Sequence, residues 1–470
     1  MKKSYQQGML SLQLLIFSAT SVIVITGFIM LVNSIFNISI RSLNKITAFS
    51  VAEAGIEYYR WHLAHNQTDY QDGTGGPGLY THNYYDKNGV LIGTFSLEIT
   101  PPPTGSTIVI IKSTGTVVAD PSIKKIIQVK MGISSFAKYA WVLNSDVNFG
   151  ANAEVFGVTH SNAGIRFDGL AHNLITSAQL TYNDPDHSGA NEFGVHTHKS
   201  PVDPLPPATV PSRPDVFMTG RQFPIPAVDF VGITQALAQI KTNAQASGFY
   251  ASSSSAFGYD IELKTDDTFN IYRVTQLMAP PSSCSSSQSG WGTWSVQSEI
   301  LIGNYPFPSN GLIFLEDHVW VRGQINTARL TIASGRLPFN STNTTSITVN
   351  NNLLYTNYNG LDTIALIAQN NINIGLFSND ILRIDGALMA QNGRIGRYSY
   401  NSNCGANRVR AELIAYGMMG SNQRAGFVYS STNGYQSRIY TYDSNLLYAP
   451  PPSFPLSSDQ YIQISWDELQ

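Results

Sequence analysis

Lys2-Lys3-Ser4-Tyr5-Gln6-Gln7-Gly8-Met9-Leu10-Ser11-Leu12-Gln13 opens the chain and leads straight into an apolar stretch that reaches Val32. No Asp, Glu, Lys or Arg occurs between Ser4 and Ile40. As a helix, residues 9 to 32 rise about 36 Å, against a hydrocarbon core of roughly 30 Å. The stretch therefore predicts a membrane-spanning helix. Lys2 and Lys3 favour an inside N-terminus, with Arg41 and Lys45 beyond the apolar run. No small-x-small site closes the run, which argues against a secretory peptide cut at its end.

The apolar pattern continues through Phe36, Ile40, Leu43, Ile46, Phe49, Ala52, Ile56, Tyr59 and Leu63. Spacings of three and four predict one long helix with a drifting apolar stripe. A short basic leader ending in Gly8, followed at once by an apolar helix from Met9, resembles the type IV prepilins. The resemblance implies cleavage between Gly8 and Met9 by a prepilin peptidase, after which the helix packs among other pilin-like subunits. The fifth residue after that cut is Gln13, where most major pilins carry Glu. Gln13 can hydrogen-bond but cannot form the ion pair that registers a subunit against its neighbour, which points to a minor subunit. The segment Ala48-Phe49-Ser50-Val51-Ala52-Glu53-Ala54-Gly55-Ile56-Glu57 resembles the N-terminal segment of PilX-type and pseudopilin-like proteins. The resemblance covers residues 1 to 65, and the residues divide as a leader over 1–8 and the pilin-like helix over 9–65.

Beyond it, Asp72-Gly73-Thr74-Gly75-Gly76-Pro77-Gly78 reads as a loop. Alternation at Phe95, Leu97 and Ile99, then apolar runs near 108–111, 114–118 and 123–131, predict an antiparallel β meander over 66–135. Burial of the helix's second half against that sheet would supply the small domain's core.

From 136 onward the chain is built of short apolar runs and Asn/Gly corners. Ala365-Leu366-Ile367-Ala368-Gln369-Asn370 recurs as Ala387-Leu388-Met389-Ala390-Gln391-Asn392, five of six positions identical at an offset of 22. Such a period predicts a β-solenoid, each coil burying its face on the next, with Asn350–352 and Asn370, Asn371 and Asn373 at corners suited to amide ladders. A β-sandwich with a chance repeat is the alternative. The expected division is a first part of the solenoid over 136–200, an inserted Pro- and Ser-rich region with a short helix over 201–310, and solenoid plus C-terminal cap over 311–470. This region also resembles β-helical ectodomains carried by pilus-assembly-like proteins. The fold class expected for the whole is thus α+β followed by all-β.

Charged residues make up 13% and the net charge is −3, which offers nucleic acid nothing, and no Walker or dinucleotide-type glycine loop is present. Cys284 and Cys404 fit either an oxidised pair outside the cytosol or two free thiols. Five of nine histidines fall between His160 and His198. His196 and His198 would share one side of a strand as a pair of imidazole donors. Asp184, Asp186, Ser188 and Glu192 carry the spaced oxygens of a calcium-like loop, although Val195 stands where an EF-hand has its bidentate Glu. No other cofactor is expected. Asp362, Asp380 and Asp385 are the scattered acids a polysaccharide-processing enzyme would need, and they form no grouped pair by spacing. Tyr398, Tyr400, Tyr416, Tyr429, Tyr435, Tyr440, Tyr442 and Tyr448 suit stacking on sugars or cover of the last coils. The expectation is a single-pass membrane protein with its bulk outside the cytosol, on a pilus or the cell surface. It would be structural or adhesive and not an enzyme, and a surface glycan or protein is its expected ligand.

Overall fold

The computed structural model describes residues 4–103, 105–457 and 459–469, with backbone alone for 4–8 and 231–236. Lys2 and Lys3 lie outside the described residues. Two compact units emerge, one made of Met1–Pro102, Ile108–Gly132 and Gln460–Gln470, the other of Pro103–Thr107 and Ile133–Asp459.

In the smaller unit, helix α1 spans Ser4–His65 without a break. Strands β1 (Tyr80–Tyr85), β2 (Leu91–Thr100), β3 (Val109–Val117) and β4 (Asp120–Gly132) pair antiparallel in chain order, and the final strand, Ile462–Leu469, pairs antiparallel with β4. That last strand was expected in the C-terminal cap of the larger region. Its backbone instead completes the small sheet, covering what would otherwise be an open edge on β4.

The apolar stripe of α1 divides in two. Val51, Ala52, Ile56, Tyr59 and Leu63 are buried against Phe95, Leu97, Val109, Ile111, Ile127, Val129 and Met131. Phe36, Ile40, Leu43 and Ile46 are exposed, as are the large apolar side chains from Met9 onward. Helix and sheet approach so closely because two glycines meet the opposing element. A Cβ on Gly115 would stand 2.1 Å from the Ala48 carbonyl oxygen and 2.5 Å from the Ala52 amide nitrogen, and one on Gly55 would stand 2.3 Å from Ser113 Oγ.

The larger unit is organised by parallel ladders. In the longest, Phe249–Ala251, Leu312–Leu315, Arg329–Ser334, Thr363–Ala368, Ile381–Ala390, Val409–Ser421, Trp141–Leu143, Thr159–Ser161, Ile175–Ser177 and Arg221–Gln222 pair successively. The sequence repeat lands in register, Ala365 on Ala387 and Leu366 on Leu388. A second face pairs Gly258–Leu263, Val319–Gln324, Ile347–Thr348, Ile372–Ile374 and Ile395–Arg397, and separately Val147–Phe149, Ile165–Phe167 and Val195–His196. A third runs from Leu353–Leu354 through the first halves of Ile381–Ala390 and Val409–Ser421 to Asn433–Tyr442, Ala153–Phe156 and Leu170–Ala171.

The order in space corrects the order expected along the chain. Strands from 141–222 stack beyond Val409–Ser421, not before Phe249–Ala251. The chain must therefore return along the whole ladder between 222 and 249. Nine strand steps of about 4.8 Å need roughly 43 Å. Helix α2 (Val231–Ser247, 17 residues) supplies about 25 Å and extended residues at either side supply the rest. The return path is anchored as it goes, with Ile225 N donating to Ser177 O at 3.0 Å and Val228 N to Asn162 Oδ1 at 2.7 Å. Leu237, Ile240 and Ala244 of α2 then cover Leu312, Phe314, Ala333, Ala365, Ile367, Ala387 and Met389. The middle of the longest ladder, from Leu312–Leu315 to Thr363–Ala368, is thereby buried on both faces, which explains its continuous apolar runs. Where chain order jumps, an amide ladder bridges the seam: Asn162 Nδ2 donates to Asn144 Oδ1 and Asn144 Nδ2 to Asn422 Oδ1, each at 2.8 Å.

The region expected as an insertion, 201–310, thus contributes Phe249–Ala251 and Gly258–Leu263 to the ladders, plus an antiparallel hairpin of Thr268–Leu277 and Val296–Pro306. Arg322, on the neighbouring strand Val319–Gln324, serves three of the region's carboxylates, with Nε 3.1 Å from Asp260 Oδ2, Nη2 3.0 Å from Glu299 Oε1 and Nη1 3.7 Å from Glu262 Oε1. Burial, with Glu299 adding to it against the pull of Arg322, pushes the Asp260 carboxyl up to about 8. A folded-state value above the unfolded one means the folded state holds the proton more tightly, so this contribution is complete in acid and is lost as pH rises through about 8. Asp260→Asn is therefore expected to gain stability relative to the parent between about pH 5 and pH 9. Urea midpoints at those two pH values check it, and an equal difference at both ends would contradict it.

Candidate functional site

Two features of the chain have the chemistry of sites: the uncovered half of α1 and a histidine–carboxylate cluster at one end of the larger unit. In α1 the segment Met9–His65 contains a long apolar stretch with none of it buried. It is long and apolar enough to cross a membrane. Gly8 and Met9 lie inside the helix, and Gln13 sits on it exposed among Leu12, Leu14 and Leu15.

The cluster is assembled by a hairpin. Thr181–Tyr182 pairs antiparallel with Glu192–Phe193, and the loop between them brings Asp184 back over Glu192. Val195–His196 then pairs with Ile165–Phe167 as the last strand on its ladder, fixing His196 beside Arg166. Glu192 is the hub. Its Oε2 lies 2.5 Å from His196 Nε2, and its Oε1 lies 2.9 Å from His198 Nε2 and 3.0 Å from His187 Nδ1. Asp184 Oδ2 lies 3.6 Å from His196 Nε2 and 3.8 Å from Arg166 Nη1. The side chains of His196, Asp184 and Glu192 are 1%, 2% and 6% exposed, against 48% for His187 at the open edge. Burial lowers the His196 pKa, opposed by the charge of Glu192, so its imidazole is held toward the neutral form. Asp184 Oδ2 and His196 Nε2 are buried without an aligned hydrogen bond.

Of the oxygens expected in a calcium-like loop, Asp184 and Glu192 meet at this cluster. Asp186 turns away to pair with Arg424, and Ser188 is exposed. His196 and His198 come together, ring centroids 5.0 Å apart. His187, which spacing did not single out, joins them because the hairpin folds back.

Cys284 and Cys404 are joined by a disulfide, packed with Leu376, Tyr398 and Tyr400. Half of the tyrosines expected to offer a stacking surface are interior: Tyr398, Tyr400, Tyr435 and Tyr440 are buried, while Tyr416, Tyr442 and Tyr448 are half-buried and Tyr429 is exposed. The scattered acids are also structural. Asp362 accepts from the amides of Ala328, Thr356 and Asn357, Asp385 from the Tyr355 amide, the Tyr358 hydroxyl and Arg383, and Asp380 from the Ala411 amide. An open groove of about 940 Å³ runs past Gln288, Arg394, Arg424, Tyr429, Gln436 and Arg438.

No family model and no curated protein matches the chain. Among solved structures, the competence-associated pilin ComZ from Thermus thermophilus aligns with a TM-score of 0.33 and 11% identity, over 91% of this chain and 98% of that one.

Proposed function

We propose that the chain is a minor, PilX-type pilin-like subunit of a type IV pilus or related filament, displaying a β-solenoid ectodomain. The observation that carries this reading is the division of α1. Its first half presents apolar side chains to no protein partner, while its second half is clamped to an antiparallel sheet. Such a helix is suited first to a membrane and then to a sheath of like helices. The leader is cut after Gly8 by a prepilin peptidase, freeing Met9 as the new N-terminus. Gln13 then contributes hydrogen bonds to its neighbours without an ion pair. The three parallel ladders are the faces of the solenoid, and the role is structural or adhesive. The engagement of Asp362, Asp380 and Asp385 in the fold supports a non-enzymatic reading. The groove beside Arg394 and Tyr429 favours a second reading, a membrane-anchored surface protein that binds a glycan or protein there without entering a filament.

Intact-mass measurement of membrane-extracted protein, produced with and without a prepilin peptidase, separates the two. Loss of residues 1–8 is expected only with the peptidase, and is expected to disappear in Gly8→Arg. An unchanged mass with active peptidase would overturn the filament reading and leave the anchored one.

A further inference from the structure

We propose that Asp184, Glu192, His196 and His198, with His187 at the solvent edge, form a binding site for a divalent transition-metal ion of the zinc class. Three observations converge on it.

Two overlapping sets of three donors, with His198 common to both, are each close enough to hold one ion. Single donor atoms of Asp184, His196 and His198 lie within 4.8 Å of one another, as do those of His187, Glu192 and His198. Zinc bound at 2.0–2.1 Å by tetrahedral ligands spaces neighbouring donors about 3.3 Å apart. Asp184 to His196 at 3.6 Å and Glu192 to His198 at 2.9 Å fall on either side of that spacing, and Glu192 to His196, at 2.5 Å, would open as the ion enters.

The arrangement is also incomplete as a protein-only network. Asp184 Oδ2 and His196 Nε2 are buried, and neither has an aligned hydrogen-bond partner. A buried carboxylate oxygen without a hydrogen bond costs about 1–3 kcal/mol, and the ion-pair distances of Asp184 Oδ2, 3.6 Å to His196 and 3.8 Å to Arg166, are too long for one. Glu192 faces three imidazoles, which gathers nitrogen donors at its edge. A cation held by Asp184, His196 and His198 gives the Asp184 oxygen and the His196 nitrogen a partner, and Glu192 beside them helps to offset its double charge.

The donor types select the metal class. Imidazole nitrogens mixed with carboxylates suit zinc and its transition-metal neighbours, whereas calcium takes oxygen ligands almost alone. With Asp186 committed to Arg424 and Ser188 exposed, the all-oxygen set does not assemble. The ligands come from the loop and second strand of the hairpin and from the last strand of a ladder with the residues just after it, so the ion would staple the hairpin onto the ladder's end. Asp168 supports the arrangement from behind, accepting from the His198 amide at 2.7 Å while its other oxygen holds Arg166 Nε at 2.8 Å.

The test uses the full chain purified in detergent, stripped with chelator and dialysed, then incubated with Zn²⁺ alone or Ca²⁺ alone. A single equivalent of Zn²⁺ retained through gel filtration is expected, with a raised melting temperature, and none of either effect in His196→Asn/His198→Gln. His172→Asn, which alters a histidine paired with Glu154 outside the cluster, is expected to keep both. Where the double variant does not fold, Co²⁺ added to the parent protein gives an independent reading. Visible d–d absorption of a low-symmetry site without thiolate charge transfer is expected, because both cysteines are in the disulfide. No retained Zn²⁺, uptake unchanged in a folded double variant, retention of Ca²⁺ in place of Zn²⁺, or a Co²⁺ spectrum of the aquo ion would each overturn the site.

Discussion

Gly115→Val is expected to release helix α1 from the small sheet and to abolish the cooperative unfolding of that unit. The new side chain begins with a Cβ 2.1 Å from the Ala48 carbonyl oxygen and 2.5 Å from the Ala52 nitrogen. Both are backbone atoms in the middle of a helix, so no rotamer change can make room. Forcing extra methylenes into a packed core costs about 1–3 kcal/mol when side chains can adjust. Here the whole helix must shift, and the cost is expected at or above the top of that range. The core at stake is small, being one face of α1 from Val51 to Leu63 against one face of the sheet. A loss of about 3 kcal/mol is a large share of what such a unit possesses. Hydrogen exchange of the full chain in detergent is the direct measurement. Amides of β3, β4 and residues 48–63 should lose protection together, while those of the Leu312–Leu315 to Val409–Ser421 ladder keep theirs. Gly27→Val is the control, since nothing lies within 4 Å of a Cβ there. If the Gly115 variant retains parental protection in β3, the close approach of helix and sheet is not what holds this unit together.

The parts of this structure that were legible in the sequence are those where one local period decides the outcome. The uninterrupted apolar run from Met9 declared the helix, and alternation at Phe95, Leu97 and Ile99 declared a strand. The repeat at Ala365 and Ala387 declared its own register, because identical residues stack when a ladder is parallel. What stayed hidden depends on long-range order. Nothing near Trp141 or Thr159 says that they follow Ser421 in space and not precede Phe249. That arrangement becomes economical only because α2 and its flanks can retrace the ladder and cover its alanine-lined outer face. The last strand was hidden for the same reason: Ile462–Leu469 looks like any terminal strand until β4 is seen to need a neighbour. At the cluster, His196 and His198 were readable as a pair from their spacing of two. Their carboxylate partners were noticed as well, but as a separate oxygen loop, since only the Thr181–Tyr182 hairpin brings Asp184 and Glu192 onto the imidazoles. The late tyrosines left two readings open because a stacking surface and an aromatic layer covering the last coils have the same composition. Burial, which composition does not report, distinguishes them.

Removing the disulfide is the second large effect. Cys284 and Cys404 are separated by 120 residues, and a crosslink closing a loop of that length restrains the unfolded chain by about 4–5 kcal/mol in the chain-entropy treatment. The folded site does not depend on the bond alone. Asn401 Nδ2 donates to Ser283 O at 3.1 Å, Asn401 Oδ1 accepts from the Ser285 amide at 3.2 Å, and the Asn401 amide donates to Ser285 O at 2.9 Å. Behind them the buried Arg397 guanidinium donates to Ser378 Oγ and to the carbonyls of Gly375, Leu376 and Asn407. Cys284→Ser/Cys404→Ser should therefore fold to the same structure, with the change falling mainly on the unfolded state. Two readouts follow from that division. The urea midpoint of the larger unit is expected to fall, by an amount equivalent to about 4 kcal/mol. The dependence of unfolding free energy on denaturant should steepen, because an uncrosslinked chain exposes more surface when it unfolds. Hydrogen exchange without denaturant should show the ladders around Ile395–Arg397 still formed. A lowered midpoint with an unchanged slope and lost protection there would place the effect in the folded state, and an unchanged midpoint would deny the crosslink any stabilising role.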